Sequence, residues 1–137
     1  MMTQTGSQMS AQTRSVLRIV AALLFLQHGS AKLLHVPYQA MFAQLHVMSL
    51  LGVQGVIELV GGALLAIGFC SRPVAFILCG DMAVAYFKAH FPKNWLPIVN
   101  GGDLAVLFCF TFLYLCVAGP GPWSVDALLR SRNTTSR

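Results

Sequence analysis

The chain has 137 residues, of which 56% are hydrophobic and only 9% are charged, against about 25% charged in an ordinary soluble domain. So few charged side chains cannot coat a water-soluble globule, and the mean hydropathy of +0.69 agrees, so a soluble enzyme, a disordered chain and a disulfide scaffold are disfavoured. The net charge of +5 does not indicate nucleic-acid binding, because the nine Lys and Arg residues are scattered among apolar runs and form no basic face.

The expected environment is therefore a lipid bilayer, and the chain divides into predicted elements accordingly. The polar segment 1–14 predicts a flexible N-terminal tail, and the basic segment 130–137 predicts a second tail. Continuous apolar runs favour helices, since helices and closed barrels are the structures that satisfy the backbone in lipid. The sequence predicts an all-α transmembrane four-helix bundle over residues 15–129, with spans at about 16–34, 50–70, 73–91 and 101–119.

The distribution of Lys and Arg predicts the orientation of these spans. Three lysines lie on one side, namely Lys32, Lys88 and Lys93, whereas six arginines lie on the other, namely Arg14, Arg18, Arg72, Arg130, Arg132 and Arg137. Cytoplasmic loops carry the excess of basic residues. We therefore expect a multi-pass protein of the bacterial cytoplasmic (inner) membrane with both termini in the cytoplasm.

A cleavable signal peptide is the alternative interpretation of the first span. Arg14 and Arg18, the apolar stretch 19–26 and the small residues 29–31 have the order of such a signal. However, hydrophobicity resumes at Leu33, and the polar region before the apolar stretch is unusually long, so the span is the preferred interpretation.

Ionisable residues inside spans each require a partner or a function. His28 and Lys32 are four residues apart on one face of the first span, and Glu58 lies on the second span. With Lys88 and Asp103 these residues fall in the outer half of the membrane, and their formal charges cancel when His28 is neutral. We expect all five to meet as an intramembrane polar cluster, with His28 and Glu58 as a directly coupled pair.

Two roles remain open for this cluster. The polar groups can fix the register of the helices, and Lys32, Lys88 and Asp103 can also extend to the interface. Alternatively, His28 and Glu58 can carry protons or hold a polar ligand. Asp81 is a secondary buried acid near the midplane, with Thr111 and Tyr114 as candidate partners and a structural role preferred.

Glycines of the second span and four cysteines are the remaining candidate residues. Gly61 and Gly62 belong to a small-residue face that lets neighbouring helices approach closely. The four cysteines show no C-x-x-C spacing, and we expect buried apolar side chains that do not converge on a metal or redox centre. The sequence shows neither a metal motif nor a cofactor motif. The cysteines are Cys70, Cys79, Cys109 and Cys116.

Five short motifs, in this order, resemble the DoxX family of small bacterial four-helix membrane proteins. They are His28-Gly29 with Lys32, Glu58 with Gly61-Gly62, the segment 68–73, the segment 100–105 and the segment 119–126. The resemblance covers about residues 14–130. Asp103 stands where many members have Glu, and Pro122 stands where a basic or small residue is common.

The resemblance implies a function linked to sulfur-compound oxidation with a quinone as acceptor, or to membrane assemblies that handle oxidative stress. We expect a small membrane subunit that supports a redox partner and is not catalytic on its own, with lipid, a protein partner or a second copy of the chain as contacts. The alternatives are a quinone-linked oxidoreductase subunit, for which quinone is the candidate cofactor, and a small-solute transporter.

Overall fold

The computed structural model describes residues 4–135, with side chains described over residues 5–133. Within this range every regular element is helical, which confirms the all-α prediction. α3 continues as a π-helical turn, Tyr86–His90, and the loop after α1 contains one 3₁₀ turn, Ala40–Phe42. The helices are α1 (Gln4–Leu33), α2 (Leu50–Ile67), α3 (Ser71–Ala85), α4 (Pro97–Asn100), α5 (Asp103–Ala118) and α6 (Val125–Thr135).

The described parts of the two predicted tails, residues 4–14 and 130–135, are helical. α1 begins at Gln4, because the segment before residue 15 contains no proline and its Gln, Met and Ala residues extend a helix that already exists behind them. α6 covers most of the predicted C-terminal tail, and the hydroxyl of Ser124 accepts a hydrogen bond from Ala127 N at its first turn. The predicted tail residue Arg137 lies outside the described residues.

Local signals explain where the inner helices end. Ser49 caps α2 by accepting a hydrogen bond from Gly52 N, and α2 ends at Gly68, whose φ of 73° is a left-handed conformation that glycine adopts without steric cost. The second helix is therefore three residues shorter than the predicted span. The third helix starts at Ser71, two residues before Pro73, and reaches His90 through its π turn.

Four helices surround one apolar core. α1 packs along α2 and α3 packs along α5, while α2 contacts α3 and α1 contacts α5. Three phenylalanines form the centre of this core, with ring centroids 4.9 Å apart for Phe25 and Phe112 and 5.4 Å apart for Phe25 and Phe108. Aromatic pairs at these distances contribute beyond the area that they bury.

The outward-facing surface of the helices is strongly apolar. Among the described residues, two helices are long and apolar enough to cross a membrane, Thr5–Leu33 and Leu50–Ile67, and α5 is apolar but shorter. Leu23, Val60 and Leu107 each expose about half or more of their surface. Such continuous apolar exposure is typical of helices in contact with lipid rather than with water.

Candidate functional site

The candidate site lies where α1 and α2 approach most closely. Gly29 packs directly against the backbone of Glu58 and Leu59, where a larger side chain would overlap main-chain atoms. One turn further along α1, Lys32 lies beside Gly55 of α2. Because these two glycines bring the helices together, the Lys32 ammonium reaches the Glu58 carboxylate, with Nζ 2.6 Å from Oε1.

This ion pair is buried. The side chains of Lys32 and Glu58 are 9% and 3% exposed, respectively. Lys32 Nζ also lies 5.9 Å from the ring centroid of Phe42, so the 3₁₀ turn after α1 covers the pair. Glu58 Oε2 is buried and has no hydrogen-bond partner among the described residues. The carboxylate is therefore only half satisfied, and one oxygen remains able to accept a hydrogen bond.

Glu58 forms its ion pair with Lys32, while His28 lines the same cavity without a hydrogen bond to Glu58. His28 is exposed, and its Nδ1 lies 2.9 Å from the carbonyl oxygen of Leu24 on its own helix. Lys32 lies beside Gly55 on the face of α1 that packs on α2, and its long side chain reaches the Glu58 carboxylate. A neutral His28 that donates through Nδ1 presents Nε2 as an acceptor.

A partly open cavity of about 250 Å³ adjoins the ion pair. Its walls combine the polar groups of α1 and α2 with apolar side chains of α3 and α5. The imidazole of His28 lies edge-on to the ring of Phe108, with centroids 6.1 Å apart. The residues that line the cavity are Phe25, His28, Lys32, Glu58, Met82, Ala85, His90, Gly101, Leu104, Ala105 and Phe108.

Two of the five predicted cluster residues lie elsewhere. Lys88 is exposed on the π turn after α3, and Asp103 is exposed at the first residue of α5. The π turn shifts the register of the last residues of α3, and His90 takes the place at the cavity that Lys88 was expected to occupy. The structure thus brings together His28, Lys32 and Glu58, and adds His90.

Asp81 is buried at 7% exposure in the middle of α3. The amide of Gln54 donates to the main-chain oxygen of Asp81 at 3.5 Å, whereas Asp81 Oδ2 has no hydrogen-bond partner within residues 5–133. The candidate partners Thr111 and Tyr114 do not fill this role, since Thr111 bonds to Leu107 of its own helix and Tyr114 is about half exposed.

The glycines and cysteines occupy helix contacts. Gly62 faces the backbone of Leu26 on α1, and Gly61 faces the side chain of Leu78 on α3. Contrary to expectation, two cysteines converge, since Cys79 Sγ of α3 lies 3.6 Å from Cys109 Sγ of α5. Sequence spacing could not reveal this pair, because it depends on the register between two helices that are distant in the chain.

A second polar network, which sequence reasoning missed, joins the helices at the opposite end of the bundle. Arg18 is fully buried and donates to the carbonyl oxygens of Pro120 at 2.9 Å and Trp123 at 2.6 Å. The sequence held a signal for this role, because Arg18 lies inside the predicted first span and an arginine there requires partners. Arg72 donates to the last carbonyls of α5, at Cys116 and Val117.

Asp126 of α6 completes this second network. Its carboxylate accepts hydrogen bonds from the backbone N–H groups of Cys70 and Ser71, both at 2.8 Å, at the start of α3. Partial burial by itself would raise the pKa of the Asp126 carboxyl, but the hydrogen bonds from Ser71 and Cys70 and the charge of Arg130 outweigh burial and hold the pKa below its ordinary value.

The cavity beside the ion pair is lined by both His28 and Glu58 and is called the His28–Glu58 cavity below. Its chemistry follows from its hydrogen-bond donors and acceptors. Lys32 supplies N–H donors, and Glu58 Oε2 and the Nε2 atom of a neutral His28 are acceptors. The cavity can therefore hold a small ligand that offers both an acceptor and a hydroxyl. Within residues 5–133 no group of three His, Cys, Asp or Glu side chains forms a candidate metal site.

Comparisons with known proteins identify the family of the chain. The DoxX family model matches residues 13–91, more than half of the chain. An uncharacterized protein of Haemophilus influenzae (strain Rd) is 43% identical over 114 residues, which cover 80% of this chain and 85% of that protein. An uncharacterized membrane protein of Mycobacterium tuberculosis (strain H37Rv) is 24% identical over 141 residues, which cover 86% and 82%, respectively.

No solved structure matches the chain. The family match includes the cavity residues His28, Lys32 and Glu58, and it confirms the resemblance that the sequence motifs indicated. The chain belongs to the DoxX family.

Proposed function

We propose that the protein crosses a bacterial inner membrane four times, through α1, α2, α3 with its π turn, and α5, and keeps both termini in the cytoplasm. α3 and the π turn have 15 and 5 residues, enough for about 30 Å at 1.5 Å per residue. α5 has 16 residues, about 24 Å, and local thinning of the bilayer accommodates a span of this length. Arg18 and Arg72 lie at one end of the bundle and Lys32 at the other, as the positive-inside rule requires.

Within this frame the protein acts as the membrane subunit of a redox assembly, and its His28–Glu58 cavity binds the head group of a quinone. The observation that carries this proposal is the buried Lys32–Glu58 pair with its unpartnered Oε2 at the wall of a cavity. A buried ion pair costs desolvation energy. A polar ligand that completes its hydrogen bonds offsets part of that cost.

The donors, acceptors and apolar walls match a quinone in both of its redox states. Lys32 would donate to a carbonyl of the oxidised ring, while Phe25 and Phe108 contact the ring itself. In the reduced state, Glu58 Oε2 and His28 Nε2 would accept hydrogen bonds from the two hydroxyl groups. A cavity of about 250 Å³ is below the usual range of roughly 300–1,000 Å³ for larger ligands, so it suits a single substituted ring.

The experiment is quinone binding to the purified protein in mild detergent, with a short-tailed ubiquinone analogue as the probe. His28→Ala and Glu58→Gln each remove one acceptor and should weaken binding of the reduced analogue about tenfold, the equivalent of one hydrogen bond of about 1.4 kcal/mol. Lys88→Met is the matched control, because Lys88 is exposed and does not line the cavity. Equal affinity in all three variants would contradict the proposal.

The subunit role has its own test. Electrons come from a partner in this scheme, so the purified chain should bind the quinone without reducing it. Reduction should appear when native membranes that contain the partner are added. Sustained turnover by the purified chain alone would overturn the subunit assignment.

A second candidate function, an oxidoreductase that carries electrons itself, is favoured by the Cys79–Cys109 contact of 3.6 Å. Met82, three residues after Cys79, and Ala105, four residues before Cys109, both line the cavity. In this scheme the two thiols form a disulfide and transfer two electrons and two protons to the quinone, which becomes the quinol.

Thiol labelling separates the two candidates. Addition of the oxidised analogue to the reduced protein should leave all four cysteines accessible to denaturing maleimide labelling if the chain is only a binding subunit. Loss of two labels in the wild type but not in Cys79→Ser would favour the oxidoreductase. Cys70→Ser is the matched control, since Cys70 is exposed and directly precedes α3.

A further inference from the structure

A second cavity, of about 360 Å³, lies where α1, α3, α5 and α6 meet, at the end of the bundle that contains Arg18 and Arg72. It is separate from the His28–Glu58 cavity, since the two share no lining residue. Three guanidinium groups line it, together with small side chains and the backbone of the segment after α5. The lining residues are Ala11, Arg14, Arg72, Ala118, Gly119, Pro120, Gly121, Pro122, Ala127 and Arg130.

Hydrogen bonds hold the walls of this cavity in place. Arg72 donates to the carbonyl oxygens of Cys116 and Val117, at 3.1 and 2.6 Å, which fixes its guanidinium at the end of α5. Arg18 lies behind this wall. It donates hydrogen bonds to the carbonyl oxygens of Pro120 and Trp123, which fix the segment after Gly119. The contacts of Arg72 and Arg18 with backbone carbonyls therefore fix one wall of the cavity, whereas Arg130 is exposed.

The charges around this cavity are unbalanced. Arg14, Arg72 and Arg130 line it, and Arg18 lies directly behind it. The carboxylate of Asp126 interacts with Arg18 and Arg130, but it accepts the N–H groups at the start of α3 and does not line the cavity. Among the described residues that line the cavity, three are arginines and none is acidic, so the lining itself is positively charged.

One donor in the cavity wall also lacks a partner. Arg14 Nε is buried and makes no hydrogen bond within the described residues. A buried donor without a partner is costly, and a guanidinium group presents paired N–H donors that fit the oxygens of a phosphate. The cavity therefore has positive charge, a buried unsatisfied donor and space at the same place.

We propose that this arginine cavity binds a phosphate group, supplied by the head group of an anionic phospholipid or by free phosphate. The cavity lies level with the ends of α2 and α5 and the start of α3, which is where lipid head groups meet a membrane protein. Basic pockets between membrane helices recognise anionic head groups through the same charges. Arg14 and Arg130 bind the phosphate oxygens, while Arg72 also maintains the wall.

The test compares two phosphate sources on the purified full-length protein. After delipidation in a non-ionic detergent, the protein is titrated with phosphatidylglycerol or phosphatidylcholine in mixed micelles, and bound lipid is counted by native mass spectrometry. Inorganic phosphate is titrated separately by calorimetry at low ionic strength. We expect phosphatidylglycerol to bind at least tenfold more tightly than phosphatidylcholine, and the binding to weaken as salt is added.

Variants locate the site. Arg14→Gln and Arg130→Gln should each weaken binding at least fivefold, and Arg14→Lys should retain part of it because the charge remains. Arg132→Gln is the matched control, because Arg132 lies on the same helix as Arg130 but not at the cavity, and it should change binding less than twofold. Arg72 is left unchanged, since it caps α5.

Each outcome bears on the proposal. Arginine-dependent binding of phosphatidylglycerol supports a lipid site, and arginine-dependent binding of inorganic phosphate alone supports a site for free phosphate. Equal losses in Arg132→Gln and Arg14→Gln would overturn the proposal, because they would indicate general surface charge. Absence of binding by both phosphate sources to the folded wild-type protein would also overturn it.

Discussion

Replacement of Lys32 by methionine is the perturbation whose consequence the structure defines most clearly. Methionine keeps most of the volume of the lysine stem but removes the ammonium that lies 2.6 Å from Glu58 Oε1. Glu58 is 2% exposed, and its other carboxylate oxygen already has no hydrogen-bond partner in the described chain. The variant would leave a buried carboxylate without its counter-charge.

The magnitude follows from this burial. Removal of one partner from a buried ion pair costs about 3–5 kcal/mol, whereas replacement of both partners by apolar groups is often close to neutral. Neither side chain exposes more than a tenth of its surface, so solvent screening reduces this cost little. We expect Lys32→Met to lower the free energy of unfolding by about 3 kcal/mol, and Lys32→Met with Glu58→Leu to lower it by less than about 1 kcal/mol.

The assay is equilibrium unfolding in mixed micelles, with increasing sodium dodecyl sulfate and far-ultraviolet circular dichroism as the signal. Lys88→Met is the control for loss of a lysine charge, and it should change the unfolding free energy by less than about 0.5 kcal/mol because Lys88 is exposed. The reasoning is refuted if the double variant is as unstable as the sum of its two single variants, since the two residues would then not be coupled.

Three further predictions test other contacts. Arg18→Met should lower the unfolding free energy by about 2–3 kcal/mol, because the carbonyl oxygens of Pro120, Trp123 and Ala66 lose a charged donor, and denaturant titration measures the loss. The pKa of the Asp126 carboxyl in the folded state is below its ordinary value of 3.8, so the ionised carboxylate stabilises the fold above pH 3.8. This contribution is lost as the pH falls through the lower folded pKa, and the stability difference between the wild type and Asp126→Asn should therefore shrink as the pH falls below 3.8. Gly29→Ala should cost about 1–3 kcal/mol, because the new methyl group overlaps the backbone of Leu59, whereas Gly80→Ala meets no atom within 4 Å and should be neutral or stabilising. Equal thermal stability of the two glycine variants would contradict the close α1–α2 contact.

The sequence by itself determined the helical class and the family. Continuous apolar runs and few charges require helices in lipid, and these properties depend on composition and local pattern rather than on contacts between distant residues. The starts of the second and third helices were close to their predicted positions, because Ser49 and Pro73 are local signals. The sequence also placed His28, Lys32 and Glu58 together, since helical spacing and predicted depth were sufficient for that step.

The tertiary structure alone decided which of these groups form contacts. Lys32 rather than His28 pairs with Glu58, because Gly29 and Gly55 set the distance and rotation between α1 and α2. A π turn, which no local pattern predicted, places Lys88 on the surface and His90 at the cavity. The Cys79–Cys109 contact joins residues that are 30 positions apart, and the hydrogen bonds of Arg18 to Pro120 and Trp123 join residues that are 102 and 105 positions apart. Such contacts depend on helix register and rotation, and a shift of one residue turns a helical side chain by about 100° and removes it from its partner.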